Sequence, residues 1–118
     1  MSQETLGKRL KRVRQERELG LRAAATKAGI SATYLSRIEN NQDPSPPTEK
    51  TIRALAELLD DDFDELMQLA GRVPEDVGAM ITGDPQMPEF LRTAREQNVT
   101  AKDLLAMLEA AKKKRRGK

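Results

Sequence analysis

The sequence predicts an all-α fold, and three observations predict it. Apolar residues recur at three- and four-residue spacing along nearly the whole chain. No stretch alternates with the period of two that a half-buried strand requires, and the periodic segments are punctuated by Gly, Pro and short polar capping residues. At 118 residues the chain suits one small domain, or a compact domain with an appended module, able to bury a modest core without disulfides or structural metal.

Leu6, Leu10 and Val13 form the inner stripe of a first helix whose other faces carry Lys8, Arg9, Lys11, Arg12 and Arg14; Gly20 is expected to interrupt it or follow its end. Leu21, Ala24, Ala25 and Ala28 lie at i, i+3, i+4 and i+7, giving a short second helix a small-residue face that another helix can approach closely. Gly29 offers the positive φ that a helix C-terminus favours, and Ser31 is a good N-cap for a third helix over 31–40 with Tyr34, Leu35 and Ile38 inward. The segment 40–47 holds Pro44, Pro46 and Pro47 and reads as a loop. Thr48 caps a fourth helix with Ile52, Leu55, Ala56 and Leu59 inward; Asp61 or Asp62 caps a fifth with Phe63, Leu66, Met67 and Ala70 inward.

Gly71 ends that helix, and Pro74 suits the first turn of a sixth that includes 77–81. Pro88 suits the first turn of a seventh with Phe90, Leu91 and Ala94 inward. Thr100 caps the last, where Ala101, Leu104, Leu105, Leu108 and Ala111 form a broad apolar face. Three regions result: 1–71, a helical segment 72–111, and a basic tail 112–118 expected to be disordered.

Composition removes most enzyme classes. There is no Cys and no His, so thiolate chemistry, disulfides, imidazole ligation and the commonest general base are all absent. The carboxylates Asp60, Asp61, Asp62 and Asp64 lack the Gly and distal Glu of a calcium loop, and a helix N-terminus attracts such residues without any metal. No enzyme activity, cofactor or metal is therefore expected. No apolar run is long enough to span a bilayer and the first residues lack the apolar stretch of a secretory signal, so a cytoplasmic protein with no membrane role is expected.

Charge is segregated. Residues 1–40 hold nine Lys/Arg against four Asp/Glu, residues 41–111 hold six against fifteen, and 112–118 hold six cations and no anion. A basic amino-terminal half on a nearly neutral chain is the electrostatic footprint of a nucleic-acid surface. The tail is expected to add at most a weak attraction to phosphate, without sequence preference.

Residues 21–36 have the anatomy of two helices joined by a very short turn, in which the first braces the second against a duplex. The run A-x-x-x-G-I-S-x-x-Y-L-S-R-I-E from Ala25, within 19–60, resembles the Xre family of phage-repressor-type regulators, over about residues 6–70. The resemblance implies a lambda-repressor-like five-helix DNA-binding domain with a short C-terminal helical extension, and double-stranded DNA as partner. It implies that the start of the recognition helix, at Ala32, Thr33, Ser36 and Arg37, reads base edges. Arg37 is expected to make the main base contact, since Arg can chelate guanine O6 and N7; a phosphate contact is the alternative. Many relatives carry Gln where this chain has Leu21 and Ala32, so those two contacts are not available here.

Arg22, Lys8 and Arg12 are expected to hold phosphate. Asn40 and Asn41 share that role or serve as turn formers. The resemblance also pairs Arg14 with Glu39 in a partly buried structural ion pair. The 77–111 segment has too few apolar residues for a core of its own, so Phe90, Leu91, Leu104, Leu105 and Leu108 are expected to pair with a second copy, the alternative being that these helices pad the amino-terminal domain. The expected function is a transcriptional regulator, a repressor more readily than an activator, bound as a homodimer to an inverted repeat. The alternative is an antitoxin or protein-interaction module that autoregulates through its helix-turn-helix. An antirepressor, toxin or protease partner fits either reading.

Overall fold

The computed structural model describes residues 4–117. Among these the secondary structure is entirely helical: α1 (Leu6–Glu16), α2 (Leu21–Ala28), α3 (Ala32–Glu39), α4 (Glu49–Leu59), α5 (Phe63–Leu69), α6 (Glu75–Thr82), α7 (Gln86–Glu96) and α8 (Ala101–Arg116). Five starts are set by a side chain that accepts a first-turn backbone N–H: Thr5, Ser31, Thr48, Asp62 and Thr100. At Thr100 the arrangement is reciprocal, with Asp103 accepting the Thr100 N–H.

Among the described residues, six of the helices stop in the same way. A residue with positive φ lies just past the helix, and the next backbone N–H reaches back five residues, for example from Leu19 to the Arg14 carbonyl and from Ile30 to the Ala25 carbonyl, both at 3.0 Å. Those positive-φ residues are Glu18, Gly29, Asn41, Asp60, Gly71 and Asn98. Gly20 does not interrupt α1 but follows its end, where it precedes α2 in extended conformation (φ −70°). The stop of α1 comes from Glu18 (φ 56°), stabilised because the adjoining Leu19 folds back onto the core.

The chain divides into two compact units, Met1–Glu75 and Asp76–Lys118, rather than after Gly71. The extra residues belong to the first unit because they are tied to it. Arg72 donates to the carbonyls of Pro47 (2.5 Å) and Pro46 (3.0 Å), and the Glu75 N–H donates to Glu49 Oε1 (2.8 Å).

The first unit has one core: Leu6, Leu10 and Val13 of α1, Ala24 and Ala25 of α2, Leu35 and Ile38 of α3, Ile52, Leu55, Ala56 and Leu59 of α4, and Leu66 and Met67 of α5. Leu21, Ala28, Tyr34, Phe63 and Ala70 sit at its edge, partly buried. Close approach of α1 to α3 depends on Gly7: a Cβ there would lie 2.5 Å from the carbonyl oxygens of both Ile38 and Glu39.

The second unit contains no buried residue in α7 or α8, and α6 has none either. Phe90 is 48% and Leu91 40% exposed, so in the single chain neither is inward as the periodicity suggested. The tail also departs from expectation. Helix α8 continues through Lys112–Arg116 instead of giving way to disorder at 112. Lys and Arg are good helix formers, and cations in the last turns complement the helix dipole. Lys118, the last of the tail cations, lies outside the described residues, as do residues 1–3.

Candidate nucleic-acid interface

The turn between α2 and α3 is compact because it is tied back to both flanking helices. Gly29 takes φ 77°, the Gly29 and Ile30 N–H groups return to the Thr26 and Ala25 carbonyls, and Ser31 Oγ accepts the Tyr34 N–H at 3.0 Å. Ala24 and Ala25, each 1% exposed, leave no bulk between the helices, and Leu35 and Ile38 pin α3 from the core side. The opposite face of α3 is turned outward.

On that face Leu21, Arg22, Ala32, Thr33, Ser36, Arg37 and Gln42 line one open depression of about 360 Å³. All four residues predicted to read base edges are in it, together with Arg22 of α2. Gln42 is the residue that the sequence reading missed. It sits just past α3, where its N–H donates to the Arg37 carbonyl at 2.9 Å, a position hidden in a loop without periodicity.

Arg37 lies between this depression and a neighbouring one of about 330 Å³, whose lining includes Thr5, Asn41, Asp43 and Pro44. Its Nε donates to Asp43 Oδ2 at 3.3 Å, and its guanidinium carbon stands 5.6 Å from the centre of the Tyr34 ring.

The predicted phosphate contacts are differently placed. Lys8 is exposed on α1 and does not line the depression. Arg12 is engaged by two carboxylates, Glu4 through Nε (2.8 Å) and Nη2 (2.9 Å) and Glu16 through Nη1 (3.0 Å). The hydrogen bond to Glu4 is the main reason the Arg12 pKa is raised, and it holds the Glu4 carboxyl below its usual range. The Asn40 amide donates to the Ser36 carbonyl at 2.9 Å. Asn41 takes the left-handed turn conformation (φ 56°), and its amide donates to Thr5 Oγ1 at 3.1 Å.

Behind the recognition helix, Arg14 donates through Nε and Nη2 to the two carboxylate oxygens of Glu39, at 2.7 and 2.9 Å. Arg9 binds Asp61 (3.0 and 2.6 Å) and Glu65 (2.7 Å), tying α1 to the start of α5. Within the acidic run at 60–64, Asp61 is thus spent on Arg9 and Asp62 on the cap of α5. Among the described residues no group of three or more acidic side chains is gathered for a metal, and no helix is long and apolar enough to cross a membrane.

Comparison with known proteins agrees with this geometry. A family model described as a helix-turn-helix domain matches residues 7–72. The HTH-type transcriptional repressor RghR of Bacillus subtilis (strain 168) is 40% identical over 72 residues, covering 61% of this chain and 53% of that protein. An uncharacterized HTH-type transcriptional regulator of the same organism, RghRB, is 32% identical over 91 residues, covering 75% of this chain and 65% of that one. The matches therefore span between about half and just under two thirds of these relatives' lengths. A chain of a SinR protein/SinI protein complex superimposes with a TM-score of 0.50 at 26% identity, covering 94% of this chain and 98% of that chain. These relatives carry the names of regulators, not enzymes, in keeping with the lack of His and Cys. With the family match running through all five helices of the first unit, the chain belongs to the helix-turn-helix domain family, with the lambda-repressor-like fold that its Xre-type motif implies.

Proposed function

We propose that this protein is a sequence-specific DNA-binding transcriptional repressor that inserts α3 into the major groove and binds an inverted repeat as a homodimer. The observation that carries the reading is the open depression on α3, where Ala32, Thr33, Ser36 and Arg37 come together with Arg22 and, among the described residues, no acidic one lines it. Arg37 makes the principal base contact, bidentate to guanine, a contact worth about 1–3 kcal/mol of discrimination. Thr33 meets a thymine methyl or a base edge, and Ala32 offers only an apolar contact. Arg22, Lys8, Asn40 and Asn41 position the domain on phosphate; Arg12 joins them only by giving up Glu4 or Glu16. The relatives named as a repressor and a regulator support the same assignment.

Two-fold pairing through Phe90, Leu91, Leu104, Leu105 and Leu108 would match the symmetry of an inverted repeat, whose half-sites lie about 34 Å apart, one turn of the duplex. The test is selection of bound duplexes from a random pool, run with the wild type and with Arg37→Ala. The reading requires an inverted repeat that relaxes at one base pair per half-site in the variant; loss spread equally over all sequences would reassign Arg37 to phosphate.

A second reading has its own support. The solved chain that resembles this one over nearly its whole length belongs to a complex between two different proteins. In that case the apolar faces of the second unit bind a heterologous protein, as an antitoxin or an antirepressor target would, and DNA binding serves autoregulation. Copurification of a stoichiometric partner whose loss accompanies substitution of Leu105 and Leu108 would favour it over the homodimer.

A further inference from the structure

We propose that Asp43 is a positioning residue for DNA reading, which holds Arg37 by Nε so that its two terminal amino groups stay free for a base, while its charge opposes binding to DNA at large. The proposal rests on the reading of Arg37 as a base contact. An exposed Arg has many rotamers of similar energy, and a specific contact must freeze one of them. Here part of that ordering exists before DNA arrives. The Tyr34 ring, one helical turn back, lies 5.6 Å from the guanidinium carbon, and Asp43 Oδ2 accepts the Nε proton at 3.3 Å. Neither Nη1 nor Nη2 of Arg37 holds a hydrogen bond among the described residues, so the end of the fork is available to chelate guanine.

Asp43 is itself fixed independently of the Arg37 side chain. Its other oxygen, Oδ1, accepts the Ser45 N–H at 3.3 Å, and the preceding Gln42 is tied to the end of α3 by the hydrogen bond to the Arg37 carbonyl. The Asp43 side chain is 19% exposed where that of Arg37 is 48% exposed, so the anchor is the less mobile partner. Among the described residues, Asp43 is also the only acidic one lining either depression beside α3. A carboxylate next to a polyanion weakens every duplex about equally, whereas an ordered Arg37 strengthens only those with the right base. The first effect lowers affinity for operator and bulk DNA alike, and the second alone widens the gap between them.

The two effects have opposite signs, which makes the proposal testable in the full chain with Asp43→Asn. Asn keeps the Oδ1 acceptor for the Ser45 N–H and replaces the Oδ2 acceptor with an amino group that cannot receive the Arg37 proton. Binding is measured by fluorescence anisotropy to the selected operator, to operators substituted at each base pair, and to a random duplex, for wild type, Asp43→Asn, Arg37→Ala and the double variant. The expected result is that Asp43→Asn binds random duplex about two- to fivefold more tightly. It should also lose about fivefold or more in discrimination at the base pair that Arg37→Ala relaxes, with no further loss there in the double variant.

A uniform weakening of all duplexes would make Asp43 merely structural and overturn the proposal, as would full retention of discrimination. If Arg37→Ala relaxes a position and Asp43→Asn does not, the role of Asp43 alone fails; if Arg37→Ala relaxes none, the base-contact reading fails and takes this proposal with it. Should Asp43→Asn not fold by thermal melting, Asp43→Ser, which keeps an oxygen acceptor for the turn without the charge, gives the same measurement.

Discussion

Arg14 and Glu39 face each other across the α1–α3 contact with both carboxylate oxygens engaged, and the remaining terminal nitrogen of Arg14 donates to the Leu19 carbonyl at 2.8 Å. One guanidinium thus fixes the end of the recognition helix and the turn that leads into α2. Their side chains are 12% and 4% exposed, so water does little to compensate either charge when the other is removed.

Glu39→Gln or Arg14→Met alone should cost about 3–5 kcal/mol, because each leaves a poorly solvated charge. Urea unfolding monitored by circular dichroism measures this. The double variant Arg14→Met/Glu39→Gln should recover part of the loss, since no lone charge remains; single variants that cost less than about 1 kcal/mol would show the pair to be well hydrated.

Gly7 should resist the smallest possible enlargement. Gly7→Ala gains helix propensity, yet its methyl would sit 2.5 Å from two backbone oxygens of α3 that cannot rotate away. The net expectation is a loss of about 1–3 kcal/mol with weaker operator binding, as α3 is pushed outward. Gly78 in α6 meets nothing within 4 Å, so Gly78→Ala should act with the opposite sign, adding about 0.5–1 kcal/mol of local helix stability. Hydrogen exchange in α6 reads the second effect and thermal melting the first. Equal responses at the two sites would mean that close approach at Gly7 does not govern the α1–α3 contact.

Much of the fold was legible in the sequence, for reasons visible in particular residues. The inner faces of α1, α3, α4 and α5 emerge from period alone because burial selects Leu, Ile and Met at fixed spacing. The stops at Gly29 and Gly71 are equally open to reading, since glycine marks positive φ. The same stop at Glu18 and Asp60 is not, because there the conformation is imposed by the next residue along the chain: Leu19 returns to the core and Asp61 to Arg9. That Arg22, Ala32, Thr33, Ser36 and Arg37 share one outward face was legible through the helix-turn-helix spacing. Gln42 and Asp43 were invisible, because a proline-rich loop has no period to show which way its side chains turn. Basic residues at 112–116 looked like a solvated tail because composition cannot distinguish a disordered end from the last turns of a helix that tolerates cations.

The Arg9–Asp61 contact should give the fold an acid-sensitive joint. Burial works to raise the Asp61 pKa, but the Arg9 hydrogen bond, helped by the Asp62 N–H at 2.8 Å, prevails and holds it below the usual value. The pKa of Arg9 is correspondingly raised, first by Asp61 and then by Glu65. A carboxyl whose pKa is lowered in the folded state contributes stability above its unfolded pKa of about 3.9, and that stability is lost as pH falls through the lower folded value. Asp61→Asn should therefore be destabilising at pH 7 and lose less further stability than the wild type between pH 5 and pH 2. Parallel pH–stability curves in urea would assign the acid sensitivity to other carboxylates.

The helices of the second unit should not stand alone in solution as they do in a single chain. Leu105 is 62%, Leu108 49% and Phe90 48% exposed, while α6, α7 and α8 bury no residue. Large apolar side chains left in water on three successive helices favour association, and a symmetric pair covers both copies with one contact. Leu105→Asp/Leu108→Asp in the full chain should halve the mass found by sedimentation at micromolar concentration. Binding to a full inverted repeat should then fall toward the affinity for a single half-site, because the second α3 is no longer held at high local concentration. Circular dichroism of the first unit's helices and binding to an isolated half-site should change little, which separates lost pairing from lost folding. A wild type that is monomeric at that concentration, or a variant that stays dimeric, would remove these helices from the dimer and leave a heterologous partner as the occupant of their apolar face.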